Sequence, residues 1–226
     1  MKYLYQHLGL GDHILLNGLI RVLSKTHGNV SLFCKTHNFE TVNYMFSDEP
    51  NITVLPFEND PQVIQFINQN RLQPNLIKIG HENFSECIPN INFDKCFYRQ
   101  FNIDFDNRWS SFFVPRNLEN ELKIYDSFNL NKNEYIFIHD DERYRIDESK
   151  INSDLPKIRI SKGITPNIFD FSTLIENAAE GHFIESSFQF MNDSLNLNKN
   201  TFVHRYCRSL PPWEIPEYKF VKEIFE

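Results

Sequence analysis

MKYLYQHLGLGDHILLNGLIRVLS, residues 1–24, decides the fold. A short apolar strand, Tyr3 to Gln6, runs into Gly9-Leu10-Gly11-Asp12-His13, and an apolar helical pattern over Ile14 to Ser24 follows at once. Strand, glycine turn and helix in direct succession are the start of an α/β unit. The free N–H groups and the dipole of a helix N-terminus make such a turn a place for anions. Asp12 adds a negative charge there and would repel a phosphate. The turn therefore points to an acid beside a phosphate site, acting as a base on a substrate hydroxyl. His13 is a second candidate for that role, or a residue that caps and lines the helix. Glycine turns also serve plain geometry.

Outward from this turn the alternation continues. His27-Gly28-Asn29 ends the first helix, and Val30 to Cys34, Ile52 to Pro56 and Leu76 to Ile79 read as strands. Phe39 to Phe46 and Pro61 to Asn68 read as the helices between them. Residues 90–116 break the rhythm with an aromatic, Arg-bearing stretch, expected as helix and loop bridging two halves. Leu118 to Phe128 is an expected helix. The second half restarts with strands at Glu134 to His139, Ile158 to Ser161, His182 to Ile184 and Thr201 to His204. Helices are expected at Phe169 to Ala179, at Ser186 to Leu195 and over the tail, where an amphipathic pattern follows a Pro-rich turn. The expectation is an α/β protein with two small Rossmann-like halves, residues 1–115 and 116–226, whose parallel sheets face a cleft.

Composition narrows the function. The chain has 226 residues, enough for a real core, with 41% hydrophobic and 23% charged residues. A net charge of -7 argues against nucleic acid as the main partner, which needs a basic face. The 4 cysteines are scattered without a CxxC pair, which speaks against zinc and disulfides and for a reducing, cytoplasmic setting. No signal-peptide pattern opens the chain, and no stretch reaches the roughly 18 apolar residues of a membrane span. Neither a cofactor nor a metal is implied.

Three further segments carry candidate chemistry. His139-Asp140-Asp141-Glu142-Arg143-Tyr144-Arg145 follows the strongest strand. In open α/β sheets ligands bind at strand carboxyl ends, and Arg143 and Arg145 have guanidinium forks suited to a diphosphate. The alternative is a solvated loop of mutually paired charges. Glu185-Ser186-Ser187-Phe188 passes from strand to helix; the serines cap the helix and leave N–H groups for an anion, while Glu185 is placed to accept from ribose hydroxyls. An ordinary N-cap is the plainer reading. Phe97-Tyr98-Arg99 with Arg108-Trp109 can stack on a base or sugar ring, or form an inter-domain core with snorkelling arginines. His7, His27, His37 and His81 show no ligand spacing and read as surface or loop residues.

With these segments placed, the chain resembles a small GT-B glycosyltransferase of the heptosyltransferase-like family, whose first strand ends in a G-x-G-D turn. Gly9-Leu10-Gly11-Asp12 matches that turn, and the resemblance implies that Asp12 is the catalytic base. The family's donor turn, of Asp-Ser/Thr-Gly type, resembles Glu185-Ser186-Ser187 and departs from it at Ser187 and Gln189. The chain is shorter than the family's usual two full domains, hence a minimal version. The implied reaction moves a sugar from a nucleotide-diphosphate donor to a glycan or lipid-linked acceptor. His139, Asp141, Arg143, Arg145, Glu185, Ser186 and Ser187 are the expected donor set, and Gly9, Gly11, Tyr98, Arg99 and Trp109 the acceptor set. A homodimer is compatible with it. Two other readings stay open: a non-catalytic sugar- or nucleotide-binding protein, and a phosphate hydrolase using the acids after His139 with a metal.

Overall fold

The computed structural model describes residues 1–81, 91–160, 163–208, 210–211 and 214–225. Two compact units emerge: Met1–Pro115 with Pro212–Glu217, and Arg116–Pro211 with Tyr218–Glu226.

In the N-terminal unit, β1 (Lys2–Tyr5) leads through the glycine turn to α1 (Leu10–Leu15) and α2 (Asn17–His27). The single helix expected over Ile14 to Ser24 starts earlier and is divided at Leu16. It stops at Gly28, whose φ of +74° lies in the region glycine enters without steric cost. Then follow β2 (Val30–Lys35), α3 (Phe39–Met45), β3 (Ile52–Phe57), α4 (Asp60–Gln69) and β4 (Leu76–Lys78). Asn59 caps α4 by accepting from the Gln62 N–H, 3.1 Å away. The strands form one parallel sheet in the order β3-β2-β1-β4. Leu4, Tyr5, Val30, Leu32, Phe33 and Cys34 are buried, and so is the polar Ser31, as both-face coverage of a parallel sheet requires.

Residues 91–115 belong to this unit rather than bridging two halves. They supply α5 (Phe93–Arg99) and α6 (Asn107–Ser110). Gly18 explains the docking of α6, since a Cβ there would stand 2.0 Å from the Asn107 carbonyl oxygen. Arg108 is wholly buried, paired with Asp94 and donating to the Glu217 carbonyl.

The C-terminal unit begins with α7 (Leu118–Ser127), followed by β5 (Ile136–His139), β6 (Lys157–Arg159), α8 (Ser172–Glu176), β7 (Glu180–Phe183), α9 (Ser187–Leu195), β8 (Thr201–His204) and β9 (Val221–Ile224). Ser161, the expected end of β6, lies outside the described residues. Its parallel sheet runs β6-β5-β7-β8-β9. The tail corrects the expectation of a C-terminal helix: Val221–Ile224 pairs in parallel with Thr201–His204. Its apolar spacing fits a half-buried edge strand as well as a helix, and the open edge of β8 supplies the missing partners.

Both sheets reverse their winding beside their first strand, between β1 and β4 in one and between β5 and β7 in the other. The crevice outside the carboxyl ends at such a switch point is where doubly wound sheets take ligands.

Candidate functional site

In the N-terminal unit the switch point is occupied by the glycine turn. Leu8 is fully buried at φ +56°, a strained value for a side chain of its size. Two buried amides clamp it. Gln6 Oε1 accepts from the Leu8 N–H at 2.7 Å, and Asn38 Nδ2 donates to the Leu8 carbonyl at 3.4 Å. Gln6 Nε2 lies 2.8 Å from His13 Nε2, which fixes the amide in turn. His13 has no exposed surface, and burial pulls its imidazole down to about 3. The structure thus gives His13 the position of a neutral packing residue that steadies the turn.

Asp12 is half-buried in the first turn of α1. Its carboxylate folds back over Gly9, where a Cβ would stand 2.4 Å from Oδ2. That close approach, rather than any positive φ, is what requires glycine at position 9. Burial pushes the Asp12 carboxyl up from its ordinary value, while the charges of His7 and Lys35 and its own backbone N–H pull it back. A carboxylate whose proton affinity is raised by burial is suited to taking a proton. Gly11 lies within α1, one residue before Asp12.

The acceptor residues expected from the aromatic segment are placed differently. Tyr98 is fully buried and donates its hydroxyl to the Leu15 carbonyl at 3.0 Å, so it packs the core instead of meeting an acceptor. Trp109 is half-buried, edge-on to Phe105 and beneath the Arg108 guanidinium at 4.8 Å. Arg99 is exposed and borders a surface hollow with Lys95, Asn102 and Phe105.

In the C-terminal unit the switch point brings together His139, at the end of β5, and Ser186, after β7. His139 Nδ1 and Ser186 Oγ are 3.1 Å apart, and the His139 ring stacks on Phe188 at 4.1 Å. Burial pulls His139 down to about 4 against the pull of Asp140 and Asp141, so it is neutral at physiological pH. Ser186 caps α9, accepting from the Gln189 N–H at 3.4 Å, and Ser187 opens the helix.

The loop acids are engaged in building the loop. Asp141 Oδ1 accepts from the N–H groups of Arg143 and Tyr144, at 2.8 and 2.9 Å. Asp140 accepts from the Ile146 N–H and from Arg159. Arg143 and Arg145 remain exposed, the Arg145 side chain at 64% with only a 4.0 Å approach to Asp140. The guanidinium groups of Arg143 and Arg208 each lie 5.6 Å from the Tyr144 ring. Glu185 corrects its expected ribose contact: it is 4% exposed and paired with the buried Arg205, which also pairs with Glu223.

Among the described residues no cluster of His, Cys, Asp or Glu has the make-up of a metal site, and no helix is long and apolar enough to cross a membrane. Three residues that the sequence reading did not bring to this end of the sheet are His7, Lys35 and His81. All three sit just beyond or at strand ends of the N-terminal sheet, and position after a strand was the available signal.

No family model matches the sequence, and neither does any curated protein. Two solved structures are similar. A glycosyl transferase family 9 protein from Veillonella parvula superposes with a TM-score of 0.64 at 11% identity, over 99% of this chain and 85% of that one. The E. coli heptosyltransferase WaaC, solved with ADP-2-deoxy-2-fluoro heptose, superposes with a TM-score of 0.50 at 9% identity, over 99% of this chain and 93% of that one. At these identities the likeness is one of fold: two parallel-sheet α/β units, of four and five strands, of the GT-B-like kind that these glycosyltransferases have.

Proposed function

We propose that the protein is a glycosyltransferase that moves a sugar from a nucleotide-diphosphate donor to a hydroxyl of a glycan or lipid-linked acceptor. The observation that carries this reading is the Asp12 carboxylate, packed over Gly9 at the carboxyl end of a central strand. The two similar folds, both glycosyltransferases, support it.

In this reading Asp12 takes the proton of the acceptor hydroxyl. The acceptor oxygen bonds to the anomeric carbon as the bond from that carbon to the diphosphate oxygen breaks, and the electron pair leaves with the nucleoside diphosphate. A single displacement of this kind inverts the anomeric centre. The leaving charge meets the exposed Arg143 and Arg145 and the N-terminus of α9, behind Ser186 and Ser187. Side chains and backbone N–H groups supply this charge, so the proposal assigns no role to a metal. His139 holds Ser186, Asp141 shapes the loop that presents the arginines, and Glu185 is left to its ion pair. Gln6, Leu8 and His13 hold the turn from within the core.

A thermal-shift screen against UDP, GDP, ADP and CMP and their sugars tests the donor class, with stabilisation by one nucleotide family expected. Donor hydrolysis, followed as release of that nucleotide, separates an enzyme from a binding protein. Absence of any nucleotide shift, or hydrolysis unaffected in both Arg143→Ala and Arg145→Ala, would overturn the donor assignment.

A further inference from the structure

The C-terminal unit carries a row of polar side chains that the proposed reaction leaves unused. Glu180 and His182 alternate along β7, and Phe202 of β8 is registered beside His182, so His204, two residues on, shares their face of the sheet. His182 Nε2 lies 3.0 Å from Glu180 Oε2, His182 Nδ1 lies 2.8 Å from His204 Nε2, and His204 Nδ1 lies 3.1 Å from the Tyr206 hydroxyl. The Tyr206 oxygen accepts from the Asp147 N–H at 3.0 Å. The row thus runs without a break from the start of β7 to the end of the loop that carries Arg143 and Arg145.

The ends of the row fix its direction. A neutral imidazole has one N–H and one bare nitrogen, and a carboxylate only accepts. His182 therefore carries its proton on Nε2, toward Glu180, and its Nδ1 accepts from the His204 Nε2–H. That leaves His204 Nδ1 bare to accept from the Tyr206 O–H, and the Tyr206 oxygen to accept from Asp147. Both imidazoles are buried; burial lowers His182 and pulls His204 down to about 4, which keeps them neutral at neutral pH. The charged groups facing them are Glu180 and Lys157 at His182, and Lys150 and Asp140 at His204.

Three successive residues after β8 hold the arginine loop. Tyr206 takes the Asp147 N–H, the Cys207 thiol donates to the Arg145 carbonyl at 3.3 Å, and the Arg208 guanidinium lies 5.6 Å from the Tyr144 ring. The thiol is a weak donor, whereas the Tyr206 hydroxyl is held from behind by a buried imidazole. We propose that Tyr206 is a positioning residue for the donor diphosphate: the Glu180–His182–His204 row orients its hydroxyl, and the hydroxyl sets the loop that presents Arg143 and Arg145. The proposal rests on the reading of these arginines as the donor grip.

The test uses the whole protein. Long-range proton–nitrogen NMR of the imidazole rings at neutral pH reads the tautomers: His182 and His204 are both expected in the Nε2–H form, and His204 in the Nδ1–H form overturns the proposal. Binding of inorganic pyrophosphate, which stands for the donor diphosphate, is then titrated in wild type, Arg143→Ala, Arg145→Ala and Tyr206→Phe. Tyr206→Phe is expected to weaken it about fivefold, the effect of one lost hydrogen bond, with both tautomers kept. Should Tyr206→Phe fail to fold, Glu180→Leu breaks the row at its other end: mixed tautomers and weaker pyrophosphate binding are expected, and Glu180→Gln, whose amide oxygen accepts from His182, is expected to restore both. Binding that falls in the arginine variants but is unchanged in folded Tyr206→Phe, or in Glu180→Leu, overturns the positioning role. Binding absent from wild type, or unchanged in both arginine variants, instead removes the donor reading and the proposal with it while the tautomers stand, so the two failures are distinguishable.

Discussion

At the scale of the residue, the base role proposed for Asp12 comes with a stability cost. Its folded-state pKa lies above the ordinary value of 3.8, chiefly through burial. A raised carboxyl favours the folded state only while protonated, and that advantage is lost as pH climbs through the raised folded value. At neutral pH the ionised Asp12 is therefore a cost. Asp12→Asn is expected to melt higher than wild type at pH 7.5 and alike below pH 3.8, in paired thermal scans, while turnover falls about 100-fold or more. Gly9→Ala makes the complementary point. Its Cβ would stand 2.4 Å from Asp12 Oδ2, the movable end of a side chain, so the fold should survive while the carboxylate swings away. Turnover should fall about tenfold or more with little change in Tm; unchanged turnover would mean that the carboxylate's place over Gly9 does not matter.

At the scale of the element, the turn between β7 and α9 is the test case. Glu185 and Arg205 are 4% and 6% exposed and pair across the ends of β7 and β8. Glu185→Gln leaves the buried Arg205 with Glu223 as its carboxylate partner and removes one charge-assisted contact, so it should cost about 2 kcal/mol in urea unfolding. A ribose contact would instead raise KM and leave stability alone. Ser186→Ala should cost about 1 kcal/mol through the lost cap. The pairing shows where sequence reading ran out. The alternation of strands and helices was legible because largely apolar runs such as Val30 to Cys34 and Tyr135 to Ile138 start just after Gly28-Asn29 and Asn133-Glu134 and give way to polar residues, and Asp12 was legible because its turn is local. Glu185 with Arg205, and His81 on His7, join residues 20 and 74 positions apart (205 less 185, 81 less 7) through strand pairing, which no local pattern encodes. The tail shows the same limit: Tyr218, Phe220, Val221 and Ile224 suit a helix by spacing, and only the waiting edge of β8 makes them a strand.

At the scale of the whole molecule, two properties depend on how the chain is distributed. The first is acid sensitivity. Burial pulls down His13 to about 3 and His139 and His204 to about 4, and lowers His182, which lies 2.8 Å from His204 between ring nitrogens. These groups are neutral when folded and protonate near pH 6.5 when unfolded, so the unfolded chain binds more protons between those limits. Stability should thus fall as pH drops from 6.5 toward 4, read as a falling urea midpoint. The second is the closing segment, which serves both units. Residues up to Glu217 belong with the N-terminal unit: Glu217 accepts from Arg108 through its carbonyl, donates its N–H to Asp94 at 3.0 Å, and Ile215 accepts from Asn92 at 2.7 Å. From Tyr218 the chain returns to the C-terminal unit, where Asp193 receives the Lys219 N–H at 2.7 Å and β9 covers the edge of β8. A chain ending at Pro211 therefore strips the Glu217 carbonyl from a buried guanidinium in one unit and exposes an apolar strand edge in the other. Hydrogen exchange should show lost protection in α5 and α6 as well as in β8. Loss confined to β8 would mean that the Arg108–Glu217 contact contributes nothing to the N-terminal unit.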